Sequence, residues 1–187
     1  MASLRGKSVA VLATHGFEQS ELVEPLKALR AAEASVDVVS LEPGRIRGWK
    51  GKDWADSVTV DRILSDTGPE EYDALVLPGG QINPDLLRAD EGAVAFVRAM
   101  VRSGKPVGAI CHGPWMLIEA GAVRGLRATS YGSIRTDMKN AGAEWVDQEV
   151  VVDQGIVTSR RPDDLSAFCA KLIEEIGEGR HYERKAA

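Results

Sequence analysis

Short apolar runs alternate with helix-like segments along most of this chain, and this alternation limits the folds open to it. After the first run, residues 20–34 place apolar side chains at helical spacing, behind Ser20 as a candidate cap. A strand, a helix and a second strand in this order form a unit whose strands lie parallel. The pattern predicts an α/β fold with a mostly parallel sheet. The strand-like runs are KSVAVLA (7–13), SVDVVSL (35–41), YDALVLPGG (72–80) and KPVGAI (105–110).

The remaining segments fit the same class of fold. Helical periodicity returns over residues 90–104 and 162–176, and residues 149–159 have the pattern of a β-hairpin. Residues 42–60 are rich in glycine and charge, which indicates a short hairpin excursion before a separate strand-like SVTV. No repeat, low-complexity tract or linker divides the 187 residues. We therefore expect a single domain over residues 1–187, with a frayed polar tail from about residue 177.

Composition narrows the partners of the chain. It has 23 basic and 28 acidic residues, scattered along the sequence, and a net charge of -5. This balance leaves no basic field to attract a phosphate backbone or an anionic membrane surface. The apolar runs are too short to span a membrane, and the N-terminal segment lacks the apolar length of a signal peptide. We expect a soluble cytoplasmic protein that needs neither nucleic acid nor membrane.

The two cysteines occupy different settings. Neither stands in a metal-ligand spacing such as CxxC, so we expect two thiols, no metal and no cofactor. Cys169 lies among apolar residues at helical spacing, which is typical of a core position. Cys111 instead ends an apolar strand and is followed by HGP and a second helical segment.

A sharp turn between a strand and a helix exposes the residue at its tip and places it near free backbone N–H groups, which favour a thiolate. Such a turn is crowded and needs small residues two positions before and after the tip. Ala109 and Gly113 meet that need, and Pro114 suits the first helical turn. A buried, unreactive thiol is the alternative. The local pattern favours a nucleophile elbow at Cys111.

Longer stretches resemble one family. ALVLPGG, KPVGAICHGPWMLIEAGAVRG, TSYGSIRTDMKNAGAEWVDQEVVVD, TSRRPDDL and THGFEQSELVEP are similar to segments of the ThiJ/PfpI superfamily, nearest its PfpI protease and bacterial stress-protein branch. The match runs in order along nearly the whole chain. The resemblance implies a flavodoxin-like three-layer α/β sandwich related to class I glutamine amidotransferases. It also implies a homodimer or a larger homo-oligomer.

The resemblance also assigns site residues. Cys111 corresponds to the family nucleophile and His112 to its neighbour. Glu18, in GFE, is expected against the cysteine sulfur, where a protonated carboxyl could donate a hydrogen bond to a thiolate or a sulfinate. The backbone N–H groups of Gly80 and His112 correspond to the oxyanion-binding pair.

The chain departs from the family pattern in one loop. PfpI proteases complete a triad with a glutamate of a neighbouring subunit, and the counterpart in PGGQINPDLLR is Asp85, one carbon shorter and in a loop one residue longer. The sequence therefore does not decide whether Cys111, His112 and Asp85 complete a protease triad. Glutamine amidotransferases take a histidine from late in the chain, but residues 149–176 contain none, which argues against a glutaminase.

Further residues are candidates for the pocket. His15 follows the first strand and is expected at the same edge of the sheet as the nucleophile; a solvated loop histidine is the alternative. Trp115 and Tyr131 either wall the pocket or pack structurally. Trp49 and Trp54 in the hairpin excursion indicate a subunit contact. His181, in the tail, is not expected to take part.

Three functions fit these residues. The first, which we favour, is a cysteine-dependent hydrolase of the stress-protein branch that acts on glyoxal-type carbonyl adducts, as deglycases and glyoxalases do. The second is an intracellular cysteine peptidase of the PfpI type. The third is a non-enzymatic redox sensor or protective stress protein that works through oxidation of Cys111. The partner is then a small carbonyl compound, a glycated substrate or a peptide.

Overall fold

A seven-stranded sheet forms the centre of the protein. The structure is a computed structural model that describes residues 3–182. Six strands run parallel, and the edge strand β10 is antiparallel to β11. Numbered along the chain, the strands lie in the order β10 (Val150–Asp153), β11 (Ile156–Ser159), β7 (Val107–Ile110), β6 (Ala74–Leu77), β1 (Ser8–Leu12), β2 (Ser35–Ser40) and β5 (Arg62–Ile63).

Helices cover both faces of this sheet. One face packs against α1 (Gln19–Ala31) and α6 (Leu165–Glu178). The other packs against α2 (Ile82–Arg88), α3 (Glu91–Arg102), α4 (Pro114–Glu119) and α5 (Arg135–Asn140). Successive strand residues point to opposite faces, so Val9 and Val11 enter one core while Ala10 and Leu12 enter the other. Both faces are therefore buried, which explains the continuous apolar strands.

Two small strand pairs lie outside the central sheet. The hairpin of β3 (Arg45–Lys50) and β4 (Asp53–Thr59) leaves the sheet after β2 and returns before β5. The pair β8 (Arg127–Ala128) and β9 (Glu144–Trp145) frames α5. Short 3-10 turns occupy Leu64–Asp66, Pro69–Glu71, Gly132–Ile134 and Pro162–Asp164.

The predicted α/β class with a mostly parallel sheet is confirmed, and so is the excursion over residues 42–60. Three local expectations need correction. The SVTV segment belongs to the hairpin rather than the sheet, the helix α2 was not foreseen, and Glu18 rather than Ser20 caps α1. Cys169 is partly buried against one of the two cores. Among the described residues, no helix has both the length and the apolarity to cross a membrane.

The expectation of a frayed tail is wrong for the part that the structure describes. The helix α6 continues to Glu178, and Gly179 then reverses the chain with a φ of 95°. The N–H of His181 donates to the carbonyl of Gly104 at 2.8 Å. These contacts fix the segment because they satisfy backbone groups that would otherwise need water. Residues 183–187 lie outside the described residues.

Candidate active site

Cys111 occupies a strained turn directly after β7. Its φ is 63°, a left-handed conformation that few residues other than glycine adopt. Two backbone bonds hold it there: its N–H donates to the carbonyl of Ser159 at 3.0 Å, and its carbonyl accepts the N–H of Tyr131 at 2.8 Å. Only 6% of the residue is exposed. Strain of this kind persists where the surroundings overdetermine the backbone, which is typical of functional turns.

The small residue expected two positions after the cysteine has a clear steric reason. A Cβ on Gly113 would press against the carbonyl oxygen of Leu77 and lie 2.9 Å from that of Ile110. No side chain fits at that spacing. The turn can therefore form only because residue 113 is glycine.

The acidic residue beside the thiol is Glu21, not Glu18. Glu21 is completely buried in the first turn of α1, and its carboxyl lies against the Cys111 side chain. Glu18 instead caps the helix, where its Oε2 accepts the N–H of Glu21 at 2.9 Å and the hydroxyl of Ser20 at 2.5 Å. Because residue 18 is used as the cap, the first inward position of the helix falls three residues later.

The loop after β6 supplies N–H groups to this pair. Gly79 donates to Glu21 Oε2 at 3.0 Å, and the N–H groups of Gly80 and His112 lie beside the Cys111 side chain, where they lower the pKa of the thiol. Gly80 has a φ of 79°, and a Cβ there would lie 2.6 Å from the nitrogen of Glu18. The two N–H groups assigned to the oxyanion site thus lie beside the thiol, and their role in binding an oxyanion stays a prediction.

Asn83 holds that loop in place, and sequence reasoning missed it. Its fully buried side chain donates to the carbonyls of Pro78 at 3.0 Å and Gly79 at 3.2 Å, and it accepts the N–H of Thr14 at 2.7 Å. One side chain thus ties the loop after β6 to the end of β1. An asparagine shortly after a PGG turn was the only signal in the sequence.

Burial controls the protonation of the acid and the thiol. It is the largest cause that raises the pKa of Glu21, to about 8, and the charge of Glu18 adds to it. Burial and the negative charge of Glu21 also raise the pKa of the Cys111 thiol, whereas the N–H groups of Gly80 and His112 lower it. Because two touching acids in a dry site cannot both ionise, the pair holds at least one proton at neutral pH.

His112 bridges the thiol and a hydroxyl. Its Nδ1 lies 3.2 Å from Cys111 Sγ, and its Nε2 lies 3.1 Å from the Oγ of Ser133. Burial lowers the pKa of the imidazole, so the ring is neutral at neutral pH. Ser133 was missed because a serine in a loop carries no distinctive pattern; it stands in the quoted TSYGSIR stretch.

Aromatic rings flank this histidine. Tyr131 stacks on His112 with centroids 4.8 Å apart, and Trp115 meets it edge-on at 5.1 Å. The indole Nε1 of Trp115 donates to Asp137 Oδ2 at 2.9 Å. The guanidinium carbon of Arg88 lies over the Trp115 ring, 4.3 Å from its centroid. Tyr131 is 41% exposed and so forms the outer rim. Trp115 and Tyr131 thus both contact His112, and their role in a pocket stays a prediction.

Two other candidates lie apart from the thiol. Asp85 is exposed on α2 and bonds Arg88, with Oδ1 at 2.6 Å from Nη2. Within one protomer it reaches His112 only through Arg88 and Trp115. His15 is exposed, and its Nδ1 accepts the N–H of Arg47 at 3.1 Å, which ties the loop after β1 to the hairpin.

Comparison with known proteins identifies the family of this chain. The model of the DJ-1/PfpI family matches residues 7–175. The chain belongs to the DJ-1/PfpI family. The family resemblance expected from the sequence is confirmed.

Named members of the DJ-1/PfpI family are similar over nearly their whole length. General stress protein 18 of Bacillus subtilis is 50% identical over 164 residues, which cover 87% of this chain and 94% of that protein. Protein/nucleic acid deglycase 2 of Escherichia coli is 48% identical over 172 residues, covering 91% and 98%. Deglycase PfpI of Pyrococcus furiosus is 45% identical, covering 89% and 97%.

Solved structures of the DJ-1/PfpI family share the fold. Drosophila melanogaster DJ-1beta superposes with a TM-score of 0.83 at 28% identity and covers 95% of this chain and 91% of that one. A protein of Anabaena variabilis with a DJ-1/ThiJ/PfpI-like and a ferritin-like domain gives 0.86 at 36% identity, over 91% of this chain and 48% of that one. These matches confirm the flavodoxin-like sandwich.

Proposed function

We propose that this member of the DJ-1/PfpI family is a cysteine-dependent hydrolase of glyoxal-type carbonyl adducts. The observation that carries the proposal is the Cys111–Glu21 pair, a thiol and a buried acid that lie against each other and hold at least one proton between them. Such a pair can deliver a thiolate to a carbonyl carbon and a proton to the resulting oxygen. Relatives named as deglycases and as a general stress protein support the same class.

The first step is addition to the aldehyde of methylglyoxal. The sulfur of Cys111 forms a bond to the aldehyde carbon while the C=O electron pair moves to oxygen. The N–H groups of Gly80 and His112 face the developing negative charge, and the proton held with Glu21 completes the hydroxyl. With an amine adduct as substrate, the same bond forms as the protonated amine leaves. Both routes give one hemithioacetal.

The second step moves hydrogen within the adduct. A base removes the C–H proton of the former aldehyde carbon, the electrons pass to the neighbouring ketone, and reprotonation there leaves a lactoyl thioester. Glu21, once ionised, and neutral His112 are the available bases. Water then hydrolyses the thioester to lactate and regenerates the thiol. One carbon is oxidised and its neighbour reduced, so water is the only co-reactant.

The outer rim bears on substrate choice. Tyr131 and Arg88 stand next to His112 and Trp115 around the thiol, so a carbonyl compound reaches the sulfur past an aromatic and a cationic group. Exposure of Tyr131 leaves room for an adduct that is attached to a larger molecule. We propose small glyoxals and glycated amines as the substrate class.

Lactate release tests the proposal. The wild type and Cys111→Ser are compared with methylglyoxal and with methylglyoxal-treated N-acetylcysteine, in a buffer without primary amines, because amines trap glyoxals and imitate deglycation. We expect the variant to lose at least about 100-fold in kcat/KM, since it lacks the nucleophile. Cys169→Ser is the matched control and should retain full activity. Equal rates for wild type and Cys111→Ser would refute the proposal.

A cysteine peptidase is the second candidate, and the contact between Cys111 Sγ and His112 Nδ1 favours it. A relative in Bacillus subtilis, 47% identical, is named putative cysteine protease YraA. This function would require Asp85 of a second copy to reach His112. Peptide hydrolysis that disappears in both His112→Ala and Asp85→Asn would support it, whereas hydrolysis insensitive to Asp85→Asn would exclude the shared triad.

Assembly and location complete the proposal. We infer a homodimer or a larger homo-oligomer, because Ile82 and Leu86 expose apolar side chains on one face of α2, next to Asp85. Light scattering after size exclusion measures the mass, and Leu86→Glu should lower it if this face is buried between copies. The two unpaired thiols suit the cytoplasm, where we propose that the protein works as a single domain.

A further inference from the structure

A second cluster of ionisable side chains lies at the opposite edge of the sheet from Cys111. Gly104 precedes β7 and Gly155 precedes β11, whereas Cys111 follows β7. The length of β7 therefore separates this cluster from Cys111. The end of α6 and the reversed tail meet at this amino edge. Sequence patterning gave His181 no role there, and the proposed carbonyl chemistry does not use it.

The imidazole of His181 is held in place by backbone. A Cβ on Gly155 would lie 2.7 Å from both Cγ and Nε2 of the ring, so the ring packs directly on that glycine. The N–H of His181 donates to Gly104, as described above, and a Cβ on Gly104 would lie 2.7 Å from the His181 carbonyl oxygen. Two glycines thus leave the space into which this residue fits.

Two carboxylates of α6 face the same point. Glu175 and Glu178 are three residues apart and lie on one face of α6. The His181 ring lies next to this face. One ligand atom from each of Glu175, Glu178 and His181 lies within 4.8 Å of the others. Glu178 is exposed and opens the cluster to solvent.

The buried carboxylate is the decisive member. Glu175 is only 7% exposed, and its Oε2 has no hydrogen-bond partner among residues 3–182. His181 Nε2 lies 3.0 Å from that oxygen, yet it too lacks hydrogen-bond geometry with any described residue. A ring nitrogen and a carboxylate oxygen that approach without a hydrogen bond are placed as two ligands of one cation would be. Ligand atoms about 2.0–2.2 Å from an ion lie about 2.8–3.6 Å apart, the lower value at right-angle and the upper at tetrahedral geometry.

Charge balance points in the same direction. Glu175 and Glu178 bring two carboxylates to one point, and the first of them is buried. A protonated His181 supplies one positive charge for these two carboxylates. Lys171 also faces Glu175 from α6, but its ammonium is paired with Glu174 at 2.7 Å. A divalent cation on two carboxylates and a neutral imidazole gives a neutral set.

We propose that Glu175, Glu178 and His181 bind one divalent transition-metal ion of the zinc class, which fastens the tail to the end of α6. One imidazole and two carboxylates suit zinc or cobalt, whereas magnesium and calcium prefer oxygen ligands alone. The role is structural: the ion joins the final helix to the segment that packs on Gly104 and Gly155. It is independent of the chemistry at Cys111.

Zinc titration by calorimetry tests the site. The full chain carrying Cys111→Ser and Cys169→Ser is treated with chelator and titrated with Zn²⁺, because thiols bind zinc themselves. We expect one ion per protomer and at least a 10-fold weaker affinity when either Glu178→Gln or His181→Gln is added. Glu174→Gln, on the same helix but paired with Lys171, is the matched control and should bind as the parent does. Excess Mg²⁺ should not compete.

Two further readouts separate a site from a packing effect. His181→Gln removes a packed ring, so the exposed Glu178→Gln tests the ligand set without that disturbance. Saturating Zn²⁺ should raise the thermal midpoint of the thiol-free parent and leave that of Glu178→Gln unchanged. Absence of zinc binding in the thiol-free parent, or unchanged affinity in Glu178→Gln, would overturn the proposal and leave His181 and Glu175 as a simple ion pair.

Discussion

The carboxyl of Glu21 and the side chain of Cys111 lie against each other across a gap that only a glycine can line. A Cβ on Gly79 would press against Glu21 Oε2 and lie 2.6 Å from the Cβ of Cys111. The acid reaches this position from the first turn of α1, and the thiol reaches it from the end of β7. The pair is therefore fixed by the packing of a helix and a strand.

Glu21→Gln should abolish most of the turnover. The amide keeps the shape of the side chain but can neither release a proton nor act as a base, so we expect a loss of about 100-fold or more in lactate release. Glu18→Gln is the matched control, because an amide oxygen can still accept the N–H of Glu21 and cap α1. Loss of the Glu18 charge should lower the pKa of Glu21 but leaves its carboxyl in place, so turnover should persist. Activity that falls in Glu18→Gln and persists in Glu21→Gln would reverse the assignment.

The stability of the fold should fall as pH rises through neutrality. The pKa of Glu21 is about 8 in the folded chain, against a usual value of 4.5, so between these values the folded state keeps a proton that the unfolded state has lost. The stabilisation is complete below about 4.5 and is lost as pH approaches 8, with a slope of at most about 1.4 kcal/mol per pH unit for one proton.

Urea unfolding at several pH values between 5 and 8.5 measures this dependence. Glu21→Gln lacks the titrating group, so its free energy of unfolding should decline less over the range than that of the wild type. The difference between the two proteins isolates Glu21 from the other ionisable groups. Parallel curves would mean that Glu21 ionises as readily when folded as when unfolded.

Ser133 should position His112 through Nε2. In Ser133→Ala that nitrogen loses its partner, and we expect kcat to fall by about 10-fold with KM little changed, since a mispositioned base affects the chemical step. Ser133→Asp places a carboxylate against the ring, which should raise the pKa of His112 and shift the acid limb of the pH–rate profile upward. If His112 took no part in the reaction, that limb would stay unmoved in Ser133→Asp and kcat would be unchanged in Ser133→Ala.

Gly79→Ala should separate the acid from the thiol. The added methyl group meets backbone and two side chains at once, so a destabilisation of about 2 kcal/mol and loss of most activity are expected. Gly132→Ala is the control, because a Cβ there has no neighbour within 4 Å and its φ is ordinary. Thermal unfolding and lactate release measure both variants; equal effects would show that the space at residue 79 is not special.

Peroxide should distinguish the two cysteines. Burial raises the pKa of both thiols, that of Cys169 to about 11, but the N–H groups of Gly80 and His112 lie only beside Cys111, where they can stabilise a thiolate and its oxidised forms. We expect intact mass spectrometry to find two added oxygens at Cys111 and none at Cys169 under mild treatment. Oxidation at equal rates would argue against a redox role for Cys111.

The strand and helix pattern was readable from sequence because both faces of the sheet are buried. Val9, Leu12 and Val76 are apolar whichever face they meet, so the runs stand out. The elbow was readable for a different reason: Ala109 and Gly113 are small where the backbone demands it. Features that depend only on neighbouring residues can therefore be predicted from the sequence.

Contacts between distant segments could not be predicted in this way. Which glutamate of GFEQSE faces the thiol depends on where α1 begins, and that depends on Glu18 acting as the cap, a choice that spacing alone does not settle. Ser133 meets His112 from 21 residues away. The docking of His181 rests on two glycines, one before β7 and one before β11, that no periodicity connects to it.

The absence of a side chain at Gly79 has an evolutionary consequence. The backbone of Gly79, not a side chain, sets the distance between Glu21 and Cys111. No substitution to a smaller residue at position 79 can therefore make room for a longer or shorter acid at position 21. The proton affinity of Glu21 and Cys111 therefore depends on the conformation of the loop that holds Gly79. Divergence is left to residues that can change one at a time, such as Tyr131 and Arg88, and differences in substrate range among proteins built on this loop should be found there.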